Sequence, residues 1–205
     1  MSHHSVRAGG TVRSVARFVA HHWARQPLLL AGIVVAVPPA ERAAFAEVLG
    51  PGVVLVAGGN TRTASVRAAL AVVGPEADAV LVHDAARPLT PPDLVARVLD
   101  ALAVGAPAVV PVLPVVDTTV LVDDDGVVLD AVARAPLRRV QTPQGFSRAA
   151  LAEAYAALPE GEELTDDAAV VRATGVPVRT VEGDERAAKI TVAHDLALAE
   201  LQVAR

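Results

Sequence analysis

Continuous apolar runs alternate with stretches of helical spacing over most of the chain. The run at 32 to 37 reads as a buried strand, and AERAAFAEVLG (40 to 50) follows with helical spacing and a glycine stop. GVVLVAGG (52 to 59) predicts a second buried strand closed by two glycines, and RTASVRAALAVVG (62 to 74) a helix. DAVLVHDAARP (78 to 88) predicts a third strand, PPDLVARVLDALAVG (91 to 105) a helix with Pro at its start and Gly at its end, and APAVVPVLPVV (106 to 116) a further strand. Unbroken apolar strands alternating with helices describe an α/β fold: three layers, Rossmann-like, with a mostly parallel sheet covered by helices on both faces.

The rhythm breaks at 117. DTTVLVDDDGVVLDAV (117 to 132) has the look of two strands around an Asp-Gly turn, so a β-hairpin arm is inserted within 115 to 140. RRVQTPQGF (138 to 146) is extended, and SRAALAEAYAAL (147 to 158) is helical. LTDDAAVVRATG (164 to 175) predicts a helix capped by Thr165 and stopped by Gly175. VPVRTVEGD (176 to 184) predicts a strand, and a terminal helix follows with Thr191 as its cap. No repeat or linker divides residues 1–205, which read as one domain.

Composition narrows the function. Hydrophobic residues make up 53% of the chain and aromatics 2%, so the core is built from small aliphatics. A formal charge of -5 and the lack of a basic stripe argue against nucleic-acid binding. Cysteine is absent, which removes disulfides and thiolate metal sites. No apolar stretch reaches membrane-spanning length and no signal-peptide pattern opens the chain, so a cytoplasmic protein is expected. The 18 basic residues are 17 Arg and one Lys, Lys189. An ammonium is a compact point charge, a different tool from a planar guanidinium.

The candidate chemistry lies at strand ends. In open parallel sheets, ligands bind outside the carboxyl ends of the strands. His83, Asp84 and Arg87 leave the third strand there, and AGGN (57 to 60) and TPQG (142 to 145) belong to the same edge. Glycines let backbone approach a ligand closely, and their N–H groups bind polar edges.

VAGGNTRTASV, VLVHDAARPLTPPDLV, PVLPVVDT, VQTPQGF, TDDAAVV and VEGDERAAKIT, in this order, resemble the 2-C-methyl-D-erythritol 4-phosphate cytidylyltransferases. The resemblance implies a homodimeric enzyme using Mg²⁺, in which a substrate phosphate attacks the α-phosphorus of CTP and pyrophosphate leaves. It implies that Gly59, Asn60 and Ser65 recognise the cytosine. Asp84, Arg87, Thr118, Arg134 and Thr142 would hold the methylerythritol phosphate, with the arm reaching a neighbouring subunit. Lys189 falls on a catalytic lysine that contacts phosphate oxygens. His83 is expected as a hydrogen-bonding neighbour, and His3, His4, His21 and His22 as surface residues.

The sequence departs from the family pattern in places. Asn60 stands where an acidic residue can occur, Val120 where Lys is usual, and Ala187-Ala188 precede Lys189 in place of Asn-Ile. The glycine-rich GxGxRxG loop and the following Pro-Lys are not among the 205 residues; VRAGGTVRSVARFVA resembles the segment just after them. These 205 residues alone are therefore expected to turn over CTP poorly. A start codon further upstream, an inactive copy acting as a binding partner, and a nucleotidyltransferase for another alcohol phosphate are the alternatives. A dinucleotide-binding oxidoreductase is disfavoured because no GxGxxG follows a strand.

Overall fold

The computed structural model describes residues 31–203. The four histidines at 3, 4, 21 and 22 and the VRAGG segment lie outside them. In chain order the elements are β1 (Val34–Val37), α1 (Arg42–Leu49), β2 (Val54–Ala57), α2 (Arg62–Leu70), β3 (Ala79–Val82), α3 (Pro92–Ala103) and β4 (Ala108–Pro114). The arm follows as β5 (Thr119–Val122) and β6 (Val128–Val132). Then come β7 (Arg138–Val140), β8 (Gln144–Ser147), α4 (Arg148–Ala157), α5 (Asp167–Ala173), β9 (Val178–Glu182) and α6 (Ala193–Val203).

β1 and β2 pair in parallel, with Val34 opposite Val54. α1 lays Phe45 and Leu49 on Val37 to close a small core. In the larger sheet β4 is the axis. One edge of β4 carries β9 in parallel, and the other carries β8 and then β7, both antiparallel. β3 joins on the far side of β8. β3, β4 and β9 therefore run one way, and the segment predicted only as extended, 138 to 146, supplies two reversed strands. The α/β class holds, with a mixed sheet.

The main core gathers Phe146, Leu151, Tyr155, Val170 and Val171, with Val66 and Leu70 of α2 packed against it. A second cluster sets Val98 of α3 on Val109 of β4. Gly145 makes room for that packing, since a Cβ there would stand 2.4 Å from Val98 Cγ1. α2 also contacts β1 and β2, so it is shared between the two sheets.

Two caps differ from the sequence expectation. Asp166, not Thr165, caps α5 by accepting the Ala169 N–H at 2.8 Å. Aspartate at this position also answers the positive end of the helix. At α6 the capping runs in reverse: the Asp195 carboxylate accepts from the backbone N–H groups of Thr191 and Val192 and from the Thr191 hydroxyl. These bonds draw its pKa down to about 2. Gly175 ends α5 as expected, with φ +83°.

The hairpin also forms as expected. Asp123 accepts the N–H groups of Asp125 and Val127, and Gly126 takes φ +83° in the turn. Val120, Leu121, Val122, Val128 and Leu129 are all exposed on it.

Candidate active site

The register of β3 on β8 sets up the site. Val82 lies opposite Gln144, so the same count places Asp84 opposite Thr142. Pro143, beside Thr142 in the chain, has no N–H to give to the ladder. The Asp84 N–H donates to the Thr142 hydroxyl, at 3.0 Å. The chain then folds back, with Arg87 N–H donating to Asp84 O at 3.0 Å. The strand thus delivers the Asp84 carboxylate and the Arg87 side chain to one edge of the sheet.

A loop from the far side of the sheet completes the cluster. Gln141 is buried and exchanges two bonds with the Asp184 backbone, donating to its carbonyl at 2.8 Å and accepting its N–H at 2.9 Å. Gly183 is required beside it, because a Cβ would lie 2.3 Å from Gln141 Oε1. After a short turn, Ile190 N–H donates to Ala86 O at 2.8 Å and Arg87 Nη1 to Ala187 O at 2.7 Å. Lys189 is held between these stitches, with Nζ 3.2 Å from Asp84 Oδ2.

Asp84 consequently faces three cations. Arg87 Nε is 3.6 Å from Oδ2, and Arg62 Nε is 3.8 Å from Oδ1. Burial alone would push the carboxyl pKa up; Lys189, then Arg62 and Arg87, outweigh it and hold the group below its usual value. Arg87 is half-structural: burial lowers its pKa despite Asp84, and its Nε is buried without a hydrogen-bond partner among the described residues.

Arg62 was not singled out in the sequence. It opens α2, where the helix dipole disfavours a cation, and its guanidinium bonds the fully buried Asp167. Burial weakens its charge, but the bond and attraction of Asp167, with Asp84 adding, leave its pKa raised. Tyr155 donates to the other Asp167 oxygen at 2.6 Å, and burial pushes the phenol above its ordinary range. A cation in a first helical turn, with an Asp-Asp pair opening another helix, was the available signal.

The glycine corner sits directly before Arg62. Gly59 N–H donates to Ser65 Oγ at 3.2 Å, and the Ser65 hydroxyl donates to Thr61 O at 2.8 Å. A Cβ on Gly59 would stand 2.4 Å from Ala64 Cβ, so only glycine allows this approach. Asn60 is exposed beside it.

The structure thus brings Asp84, Arg87, Thr142 and Lys189 together and ties Gly59, Asn60 and Ser65 to them through Arg62. Thr118 and Arg134 are placed apart, on the arm. Thr118 is exposed just ahead of β5, and Arg134 follows β6 and donates to Val116 O, closing the arm's base.

Anionic ligands suit this edge: two arginines and one lysine against two carboxylates, Asp84 and Asp167, leave one positive charge in excess. Known proteins are similar to this chain in sequence and fold. The family model described as 2-C-methyl-D-erythritol 4-phosphate cytidylyltransferase matches residues 13–205. A protein of that name from Frankia casuarinae is 51% identical over 181 residues, 88% of this chain and 67% of its own. One from Saccharopolyspora erythraea is 52% identical over 179 residues, 84% of this chain and 79% of its own. The crystal structure of the Thermus thermophilus protein of the same name superposes with a TM-score of 0.77 at 40% identity, covering 95% of this chain and 89% of its own. The chain belongs to the 2-C-methyl-D-erythritol 4-phosphate cytidylyltransferase family.

Proposed function

We propose that the protein transfers CMP from CTP to 2-C-methyl-D-erythritol 4-phosphate, giving 4-diphosphocytidyl-2-C-methyl-D-erythritol and pyrophosphate. The observation that carries this reading is the only lysine of the chain, paired with Asp84 at the strand ends. The attacking phosphate is already an anion, so the reaction needs positioned charge more than a base. Lys189 has three rotatable N–H donors on a flexible stem. It moves from Asp84 to the phosphate oxygens, and Arg62 and Arg87 remain as counter-ions to the carboxylate.

The acceptor lies beside Asp84 and Arg87, and Gly59, Asn60 and Ser65 face the base. The Ser65 hydroxyl donates to Thr61 O and accepts the Gly59 N–H, which leaves one lone pair for a donor on the base, beside backbone groups and the exposed Asn60. The exposed apolar arm belongs in a homodimer interface, with Thr118 and Arg134 carried toward a neighbouring copy. No described helix is long and apolar enough to cross a membrane, and a cytoplasmic location accords with the substrates.

Among the described residues no three His, Asp or Glu side chains come together to hold a metal. They build no cage for Mg²⁺. Mg²⁺ would be held chiefly by the triphosphate, whose charge it would offset, and Asp84 is the carboxylate of this cluster that could assist.

The test is pyrophosphate release and the mass of the nucleotide product. It is run on the 205-residue chain and on a version preceded by a strand and GxGxRxG loop from an active relative. Product that requires both CTP and the methylerythritol phosphate supports the reading, and the extended form is expected to be the faster. No product from either form, or equal turnover with an unrelated alcohol phosphate, overturns it.

A further inference from the structure

Beneath Asp84 lies a chain of hydrogen bonds whose directions follow from donor and acceptor chemistry. His83 Nε2 is 3.1 Å from the carbonyl oxygen of Arg87. A carbonyl only accepts, so Nε2 carries the proton. A neutral imidazole then offers Nδ1 as an acceptor, and the group 3.0 Å away is the Thr142 hydroxyl. That hydroxyl therefore donates to His83, and one of its lone pairs accepts the Asp84 N–H at 3.0 Å. Thr142 is 4% exposed. Its only proton points inward, away from any ligand.

We propose that His83 and Thr142 are a positioning pair: His83 fixes the Thr142 hydroxyl, and that hydroxyl fixes the Asp84 backbone and so the carboxylate that faces Lys189. Thr142 acts through Asp84 and supplies no proton to the substrate phosphate. The bridge carries the contact between the two segments past their last paired residues, Val82 and Gln144. The neutral state it needs fits its surroundings, since burial draws the His83 pKa down to about 4, against the opposing pull of the Arg87 carbonyl and Asp84. Among the described residues, the charged groups that act on it are Asp84 and Arg87.

The inference rests on the reading of the Asp84–Lys189 cluster as the site, and two measurements separate the two claims. The first is the ¹⁵N spectrum of histidine-labelled protein at neutral pH, which needs no turnover. A neutral Nε2–H tautomer is expected for His83, with Nδ1 shifted by Thr142→Val. An Nδ1–H tautomer, an imidazolium, or no response to Thr142→Val overturns the bridge. The second is kcat and KM for the acceptor phosphate, measured in the form that turns over CTP. His83→Asn keeps an acceptor where Nδ1 lies but loses the donor to Arg87 O; His83→Gln does the reverse. If the bridge positions Asp84, Asn retains most of kcat, whereas Gln and Thr142→Val each lose about tenfold or more, as for a lost buried hydrogen bond. A retained rate in Gln with a loss in Asn shows that only the Arg87 carbonyl matters, and overturns the proposal. Equal losses in Asn and Gln, with equal losses of folded stability, mean packing alone and overturn it too.

Discussion

Replacing His83 with Asn should flatten part of the acid limb of the stability curve between pH 7 and pH 5. The unperturbed imidazole titrates at 6.5, and burial takes the folded group to about 4. Between those values the unfolded chain binds a proton that the folded chain refuses, so stability falls as pH falls. Across the whole interval the effect is roughly 3 kcal/mol, and between pH 7 and pH 5 alone it is about 2 kcal/mol. The upper window is the useful one, because the carboxylates held low by their partners, Asp84, Asp184 and Asp195, stay ionised throughout it. The assay is urea unfolding followed by circular dichroism at both pH values, in the wild type and in His83→Asn. Comparing the two proteins isolates the change made at position 83. The wild type should lose about 2 kcal/mol more than the variant. An equal loss in the two would mean that His83 is charged in the folded protein, and the hydrogen-bond directions assigned to Thr142 would fail with it.

Lys189→Arg should remove most activity while leaving the unfolding curve in place, because a planar fork replaces a mobile point charge; near-normal turnover would sink the role given to Lys189. Arg62→Met strands Asp167 in the core with Tyr155 as its remaining partner, and should cost about 1–3 kcal/mol in urea unfolding. Adding Asp167→Asn should recover part of that, and additive losses would show that the two do not form a pair. Gly59→Ala forces its new methyl against Ala64 and should weaken CTP binding, read by calorimetry, more than it weakens the acceptor; equal effects would point to general damage. A variant lacking 119 to 131 should sediment as a monomer, and a persistent dimer would place the interface elsewhere.

The strand ends were legible because the chemistry is local: an apolar run that stops at His83 and Asp84 needs no tertiary knowledge to look like a ligand edge. Lys189 was legible by scarcity. Arg62 was not, since its meaning depends on Asp84 and Asp167, 22 and 105 positions away along the chain. Thr142 was legible as part of the site but not in direction. Which way its hydroxyl points is decided by His83, and that contact is not evident until β3 and β8 are paired. Between Thr165 and Asp166 the cap was a choice of adjacent residues, both capable of the bond. The reversed strands β7 and β8 are too short for their pattern to disclose direction.

Lys189 has a further practical meaning. It is the only ε-amine in the chain, and its side chain is 46% exposed. Apart from an α-amino group, an amine-directed reagent has one target among these 205 residues, and that target lies in the Asp84 cluster. A single isotopic methyl label introduced by reductive alkylation would therefore report on the site with no background from the surface. A lysine-specific protease, likewise, would cut the chain at one place only, next to the ion pair with Asp84. Protection of that bond by added nucleotide or acceptor would read occupancy directly.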